Sequence, residues 1–428
     1  MDSSLTSSNR ELEEFFSISY HQFARKDDGG NGGSELTPIV TADVRLLLEH
    51  LIDRRELDPD RVQVQIGLDG GQGILKVCML VYEAVSDENG DSARKRLKHS
   101  DGVGGRQAKL TSVKRLLVIA AAPGVEETWE NLKCLLEKLD ISTLHPSCLL
   151  SVDIKVQLIL CGKQSAASTH PCPYCECQPQ FTCDCRRNTL GSLTRHYEEF
   201  IAAGGKKINA KNHNNCVNPP LLQGPSEAQV INLLTFPELH VMTGTVGHIV
   251  KQMIKMIPRA ENVISRYMKN HNISWCAYTP GTFEGNQARK FLKFSKDLVL
   301  LADDLPEASR TKAYEFMTLI CKFNEVVETC FGQELKPNYS IVITKFEELY
   351  RKLEISVTPK VHLVFAHLVE FIESRGSVAG LGAWSEQAME SVHHDMKVEW
   401  ERTKVQKNHP EFGRIFLKFL VKYNSKHV

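Results

Sequence analysis

The chain has 428 residues and 48.2 kDa, room for two or three domains or for one core carrying a large insertion. Hydrophobic residues make up 42 % and charged residues 24 %, which supports a substantial core and excludes a mostly disordered chain. Lys+Arg and Asp+Glu are both 52, so the formal charge is zero and any polyanion binding must come from local patches.

No window approaches about 18 uninterrupted apolar residues, so neither a transmembrane helix nor a membrane partner is expected. The opening MDSSLTSSNRELEEFF lacks the basic and apolar regions of a signal peptide, and an intracellular protein is expected. Its 13 cysteines then read as thiols or metal ligands, not disulfides.

Residues 1–40 are rich in Ser, Asn and Gly, and a loosely ordered segment is expected there, with LEEFFSISYHQFA as a candidate amphipathic helix. Val44 to Arg55 has helical periodicity. RVQVQIGLD, ending at Asp69, and GILKVCMLVYEA, starting at Gly73, read as strands joined by the hairpin signal Gly70-Gly71-Gln72-Gly73. The polar stretch after them reads as an exposed loop. KRLLVIAAAPG reads as a third strand, EETWENLKCLLEKLDI as a helix, SCLLSVD as a short buried strand ending at Asp153, and IKVQLILCG as a turn into a helix. This order matches the opening of an RNase H-like sheet, within the wider α/β class. From about Glu176 to Glu354 the longer runs are helical and read as an insertion. The part from Ile355 to Val428 also reads as helical. The expected organisation is therefore a loose segment 1–40, a first part of the core over 41–175, a helical insertion over 176–354, and a C-terminal part of the core over 355–428.

Asp69 and Asp153 each end a predicted strand. In an RNase H-like sheet those strands lie side by side, so both carboxylates would enter one site, with Glu386 in GAWSEQAMESVHHDM as a third on a predicted helix. Three such carboxylates suit a pair of hard divalent ions. The bland reading is that each Asp is a turn residue or a helix cap.

Cys172-Pro-Tyr-Cys175 is a C-x-x-C, and His362 and His367 stand with four residues between them in PKVHLVFAHLVEF. Each half has zinc-ligand spacing. Zinc held by all four would staple two distant stretches of chain. The rivals are a cysteine-only site from Cys172, Cys175, Cys183 and Cys185, a redox C-x-x-C, and histidines that are merely core.

These pieces resemble, in order, the catalytic core of the V(D)J recombinase catalytic subunit and the Transib-type transposases. LDGGQG is similar to the segment carrying the family's first Asp. Asp153 lies 19 residues before Cys172, and Glu386 lies 19 after His367, close to the family's spacings. PELHVMTG and EGNQARKFL are similar to segments of its helical insertion. ISVTPKVH, GLGAWSEQA, HPEFG and YNSKH also occur in transposon-derived invertebrate proteins. The resemblance implies an RNase H-like mixed sheet with a large, mostly helical insertion and a zinc-stapled C-terminal region. It implies a DDE triad of Asp69, Asp153 and Glu386 with two Mg²⁺ or Mn²⁺ ions, and one zinc on Cys172, Cys175, His362 and His367. The implied activity is DNA nicking followed by 3′-OH strand transfer, for which a homodimer is expected. Roughly 60 residues precede the first core strand, against the longer DNA-end-binding regions of the family. A domesticated, catalytically inactive DNA- or protein-binding protein is the alternative, and a piece of a longer element is a third reading.

DNA would need phosphate contacts. Basic residues gather in 186–213, including Arg186 and Arg187, and in 397–428. Arg289 and Lys290 in GNQARK are further candidates. ARKRLKH is a short candidate nuclear-localisation patch.

Overall fold

The computed structural model describes residues 7–23, 36–86, 93–96, 116–140, 148–178, 185–276, 281–403 and 405–428. In chain order its elements are α1 (Ser7–Glu13), β1 (Phe16–His21), β2 (Thr37–Ala42), α2 (Val44–Arg54), β3 (Val62–Asp69), β4 (Ile74–Ser86), β5 (Ala93–Arg96), β6 (Leu117–Pro123), α3 (Trp129–Leu139), β7 (Leu149–Ser151) and α4 (Ile154–Leu160). Helices follow: α5 (Leu190–Ala202), α6 (Val230–Leu233), α7 (Glu238–Met256), α8 (Ala260–Asn270), α9 (Gly285–Lys293), α10 (Ser295–Val299), α11 (Glu307–Cys330), α12 (Tyr339–Lys352), α13 (Pro359–Ala366), α14 (Leu368–Ser374), α15 (Gln387–Thr403) and α16 (Phe412–Asn424). The predicted β-β-β-α-β-α order is present as β3, β4, β6, α3, β7 and α4.

The chain divides into two units, one of Met1–Ser168, Asn188–Thr235 and Trp384–Val428, the other of Thr169–Arg187 and Phe236–Ala383. The first unit holds one mixed sheet in the order β1-β2-β6-β4-β3-β7, with β5 paired to the end of β4. Every pairing is antiparallel except β3 with β7. The strands of the sheet centre are apolar on both faces. All seven residues of β6, LVIAAAP, are buried, as expected of a strand covered on both sides.

Three features differ from expectation. First, the candidate helix LEEFFSISYHQFA splits into the end of α1 and strand β1, and β1 pairs with β2 inside the segment expected to be loose. Alternation in FSISYH lets one face of β1 pack on α16, and that packing overrides the helical pattern. Second, Ala93–Arg96 of the expected loop forms β5, while most of that loop and the run DDGGNGGSE lie outside the described residues. Third, the insertion has other limits. Residues 188–235 belong with the sheet, because Leu234 bridges Leu150 in parallel and Thr235 N–H donates to the Leu150 carbonyl at 2.8 Å. Residues 355–383 belong with the helices.

In the second unit α11 runs 24 residues through an aromatic core. Phe323 meets Phe331 and Phe346, and Phe346 meets Tyr350 and Phe365, with centroids 5.1–6.4 Å apart. In the GSVAGLGAW segment, Gly380 and Gly382 N–H groups donate to Gln333 and Gly332 carbonyls. A side chain at Gly380 would collide with the Gly332 carbonyl, so the closeness of two backbones demands glycine there.

The C-terminal phrase YNSKH has a structural role in the first unit. Asn424, fully buried, accepts from Val118 N–H and donates to the Val118 carbonyl, both at 2.8 Å. These groups lie beside the irregularity between β4 and β6, where the ladder shifts register. Arg55 also donates to the His427 carbonyl at 2.8 Å. Asn424→Ala should leave two buried backbone groups without this partner and cost about 2–4 kcal/mol. Urea unfolding should show a clearly lowered midpoint. A loss under about 0.5 kcal/mol would mean that water replaces the side chain.

Candidate metal centres

The cysteine–histidine cluster lies wholly in the second unit. Cys172, Cys175, Cys177, His362 and His367 are each 0–1 % exposed. Thr358 caps α13 by accepting from Val361 N–H, and Pro359 opens the helix, which carries His362. On one continuous helix, residues five apart would point about 140° away from each other. His367 avoids this by sitting at the break between α13 and α14, with φ −128°. Both rings therefore turn to one point, 5.1 Å apart and nearly perpendicular.

The cysteines reach the same point. Cys175 Sγ lies 3.3 Å from His362 Nε2 and 3.4 Å from His367 Nε2, and Cys172 Sγ lies 3.5 Å from His367 Nε2. With Zn–S near 2.3 Å and Zn–N near 2.0 Å, a tetrahedral site has an S–N edge of about 3.5 Å. The donor atoms are thus spaced as a zinc ion would space them, and the cluster could bind a structural zinc. Cys177 Sγ also lies within 4.8 Å of the donor atoms of Cys172, Cys175 and His362, so a third thiol borders the centre. Cys183 of the cysteine-only alternative lies outside the described residues. The cluster joins the second unit's first segment to α13 and α14.

The surroundings fix the ligands. His367 Nδ1 is 3.1 Å from Glu370 Oε2, which directs Nε2 toward the sulfurs. Arg187 Nε lies 3.0 and 2.9 Å from the two Glu370 oxygens, and its guanidinium also donates to the Cys185 and Ala366 carbonyls. Burial, then the neighbouring His367, push the His362 imidazole down to about 3, so it is neutral and able to ligate. Burial works to lower His367, but Cys172, Cys175 and Glu370 outweigh it and hold the ring well above its ordinary value. Burial works to raise Glu370, but His367 and Arg187 hold it below the usual carboxylate range.

The carboxylates belong to the first unit. Asp69 is the last residue of β3, and its Oδ1 accepts from Gly71 N–H at 2.7 Å. The expected hairpin is present: the 3₁₀ turn Gly71–Gly73, with Gly73 at φ +75°, joins the antiparallel strands β3 and β4. Strand β7 ends at Ser151, so Asp153 stands two residues past it rather than at its end, and it caps α4, its Oδ1 accepting from Val156 N–H at 2.7 Å. Both aspartates therefore do what the bland reading asks of them. The register also pairs Gln65 with Leu149 and Gly67 with Ser151, so two residues further Asp69 and Asp153 leave adjacent parallel strands at one end. Glu386, 3 % exposed, comes just before α15, not within it. It is held there by Trp384, whose carbonyl accepts from Gln65 of β3 at 3.1 Å and from Ser151 of β7 at 3.2 Å. Helix α15 packs on β3 and on the Gly71–Gly73 turn. Met389 rests on Gly67, where any side chain would collide. Among the described residues, only the Cys/His cluster brings three or more donor atoms within 4.8 Å of one another. The oxygen donors of Asp69, Asp153 and Glu386 are of the type that suits Mg²⁺ or Mn²⁺.

Three charged residues beside Asp69 carry no signal in spacing. Lys76, 2 % exposed, is opposite Asp69 in the β3–β4 ladder. Burial lowers its value, while Cys78, Asp69 and Glu127 pull it the other way. Glu127 accepts from Gly70 N–H at 2.5 Å and pairs with Lys155.

Three of the four expected phosphate contacts, Arg289, Lys290 and Arg187, have partners within the protein. Arg289 pairs with the buried carboxylate of Glu238, and Lys290 donates to the Asn272 carbonyl at 3.0 Å. Arg187 supports His367 through Glu370. Arg186 is exposed, as are Arg195, Lys206, Lys207 and Lys211. No described helix is long and apolar enough to cross a membrane. No family model matches the chain, and no curated protein matches it.

Glu370→Ala should weaken zinc binding about 10- to 100-fold in competition with a colorimetric chelator. An unchanged affinity would remove Glu370 from the support of the site.

Proposed function

We propose that the chain is a DDE-type, transposase- or recombinase-like enzyme that nicks DNA and transfers the freed 3′-OH to another strand. The supporting observations are the parallel β3–β7 register, whose last pair Gly67–Ser151 stands two residues before Asp69 and Asp153, and the Trp384 carbonyl, two residues before Glu386, bound by Gln65 of β3 and Ser151 of β7. Three antiparallel strands β6-β4-β3, then β7 parallel to β3, then the single bridge of Leu234 to Leu150 at the outer edge of β7, support the RNase H-like reading.

In this reading Asp69, Asp153 and Glu386 hold two Mg²⁺ or Mn²⁺ ions. When bound, the ions would activate the attacking oxygen and stabilise the leaving one. The carboxylates orient that centre from two strand ends and a helix start, elements fixed by the sheet itself. In the nicking step a water oxygen bonds to phosphorus as the P–O3′ bond breaks, and the proton lost by water is balanced by one gained on the 3′ oxygen. In transfer that 3′-OH attacks a second phosphodiester and releases its 3′ oxygen in turn. Zinc on Cys172, Cys175, His362 and His367 keeps the second unit folded and takes no part in either step. DNA is the partner, reached through the exposed Arg195, Lys206, Lys207 and Lys211 of the first unit. The acting form is a homodimer, and the compartment is the nucleus.

A second reading, a zinc-stabilised DNA- or protein-binding protein without catalysis, is favoured by the capping and turn roles of Asp153 and Asp69. Nicking of supercoiled plasmid with Mn²⁺ separates the two. The wild type should nick, and Asp69→Asn and Glu386→Gln should fall to background with zinc content retained. Equal traces in all three proteins would favour the binding protein.

A further inference from the structure

Beside Asp69 and Asp153 lies an ion pair to which the proposed chemistry assigns no role. Glu127, between β6 and α3, is only 11 % exposed at its side chain, and Lys155, in the first turn of α4, is 64 % exposed. Glu127 bonds with both oxygens. Oε1 accepts from the Gly70 N–H, the residue after Asp69, and Oε2 pairs with the Lys155 ammonium, two residues after Asp153. Gly70 has no room for a side chain because the Glu127 stem presses on it. Glu127 is therefore built into the turn, and its place is set by backbone. Through Glu127 the Lys155 ammonium is tied to the turn that follows Asp69, and its own backbone stands two residues after Asp153 in the first turn of α4.

We infer that Lys155 is a resident counter-cation of the carboxylate site, positioned by Glu127, and that it competes with divalent metal for the field of Asp69 and Asp153. The inference rests on the reading of those carboxylates as a Mg²⁺ or Mn²⁺ site. A fixed ammonium neutralises part of the charge that closely spaced carboxylates would otherwise have to bear. The same charge repels an incoming dication, so it sets the metal concentration at which the site loads. Glu127 is a positioning residue here, because it acts through Lys155 and through the Gly70 turn.

The test is a Mn²⁺ titration of the zinc-loaded full chain, with unbound Mn²⁺ read by electron paramagnetic resonance. Sulfur-rich zinc sites do not favour Mn²⁺, so the signal reports the oxygen ligands. Lys155→Ala should bind Mn²⁺ about 3- to 10-fold more tightly than the wild type, since a nearby like charge is removed. Lys155→Arg keeps both the charge and the pairing with Glu127 and should match the wild type. A merely structural lysine would give unchanged or weaker binding in Lys155→Ala, and either result overturns the inference while leaving the metal site standing. Absence of Mn²⁺ binding in the wild type would defeat the carboxylate reading itself, and this inference with it.

Discussion

The parallel contact between β3 and β7 is the constraint on which the placement of Asp69 and Asp153 in the first unit depends. It spans only three residue pairs. A parallel pair cannot be closed by a tight turn, so the chain must travel through β4, β6 and α3 before β7 can lie beside β3. That path fixes the register, and the register decides which residues emerge together at the strand ends. Side chains seal the contact from above. Gln65 and Ser151, one from each strand, share the Trp384 carbonyl, so one backbone atom reads whether the strands are correctly aligned. A slip by one residue would turn Asp69 to the other face and break this shared acceptor at once.

The second unit is organised differently. Its helices pack around aromatic residues, and its first segment, Thr169–Arg187, has little apolar mass of its own. That segment is held by convergence of its cysteines on His362 and His367 and by Arg187, which ties Glu370 to the Cys185 and Ala366 carbonyls. A zinc bound there would contribute folding energy to a segment with few apolar side chains. The charged residues around it are accounted for by the same need. Arg187 and Glu370 neutralise each other and orient a histidine. Arg289 neutralises Glu238, which is wholly buried.

Much of this is legible in the sequence, for physical reasons that differ between residues. The strands β3, β4 and β6 are long and β-branched or apolar, so their period and composition give them away. The cysteine and histidine ligands are legible because zinc demands particular residue types at particular spacings. Asp69 and Asp153 are visible as strand-end carboxylates, although the sequence cannot distinguish capping from catalysis, and both side chains do cap. Strand β1 is not legible, since FSISYH follows a helical stretch and gains its identity from pairing with β2. The limits of the insertion are hidden too, because Leu234 and Thr235 are assigned to the sheet by a bridge to Leu150, more than eighty residues back. Glu127, Lys76 and Lys155 carry no motif, and only the fold brings them to Asp69. Cys177 is visible as a cysteine, but its place beside the cluster is a matter of local backbone path.

The most direct measurement of the central claim is anomalous X-ray scattering from crystals of the zinc-loaded chain soaked in Mn²⁺. Data at the manganese and zinc edges would separate the two metals. The account predicts manganese bound by oxygens of Asp69, Asp153 and Glu386 at the ends of β3 and β7, and zinc alone within the cysteine–histidine cluster. Zinc in the cluster with no manganese at the three carboxylates, at millimolar Mn²⁺, would contradict it and leave the first unit a fold without a metal-dependent active site.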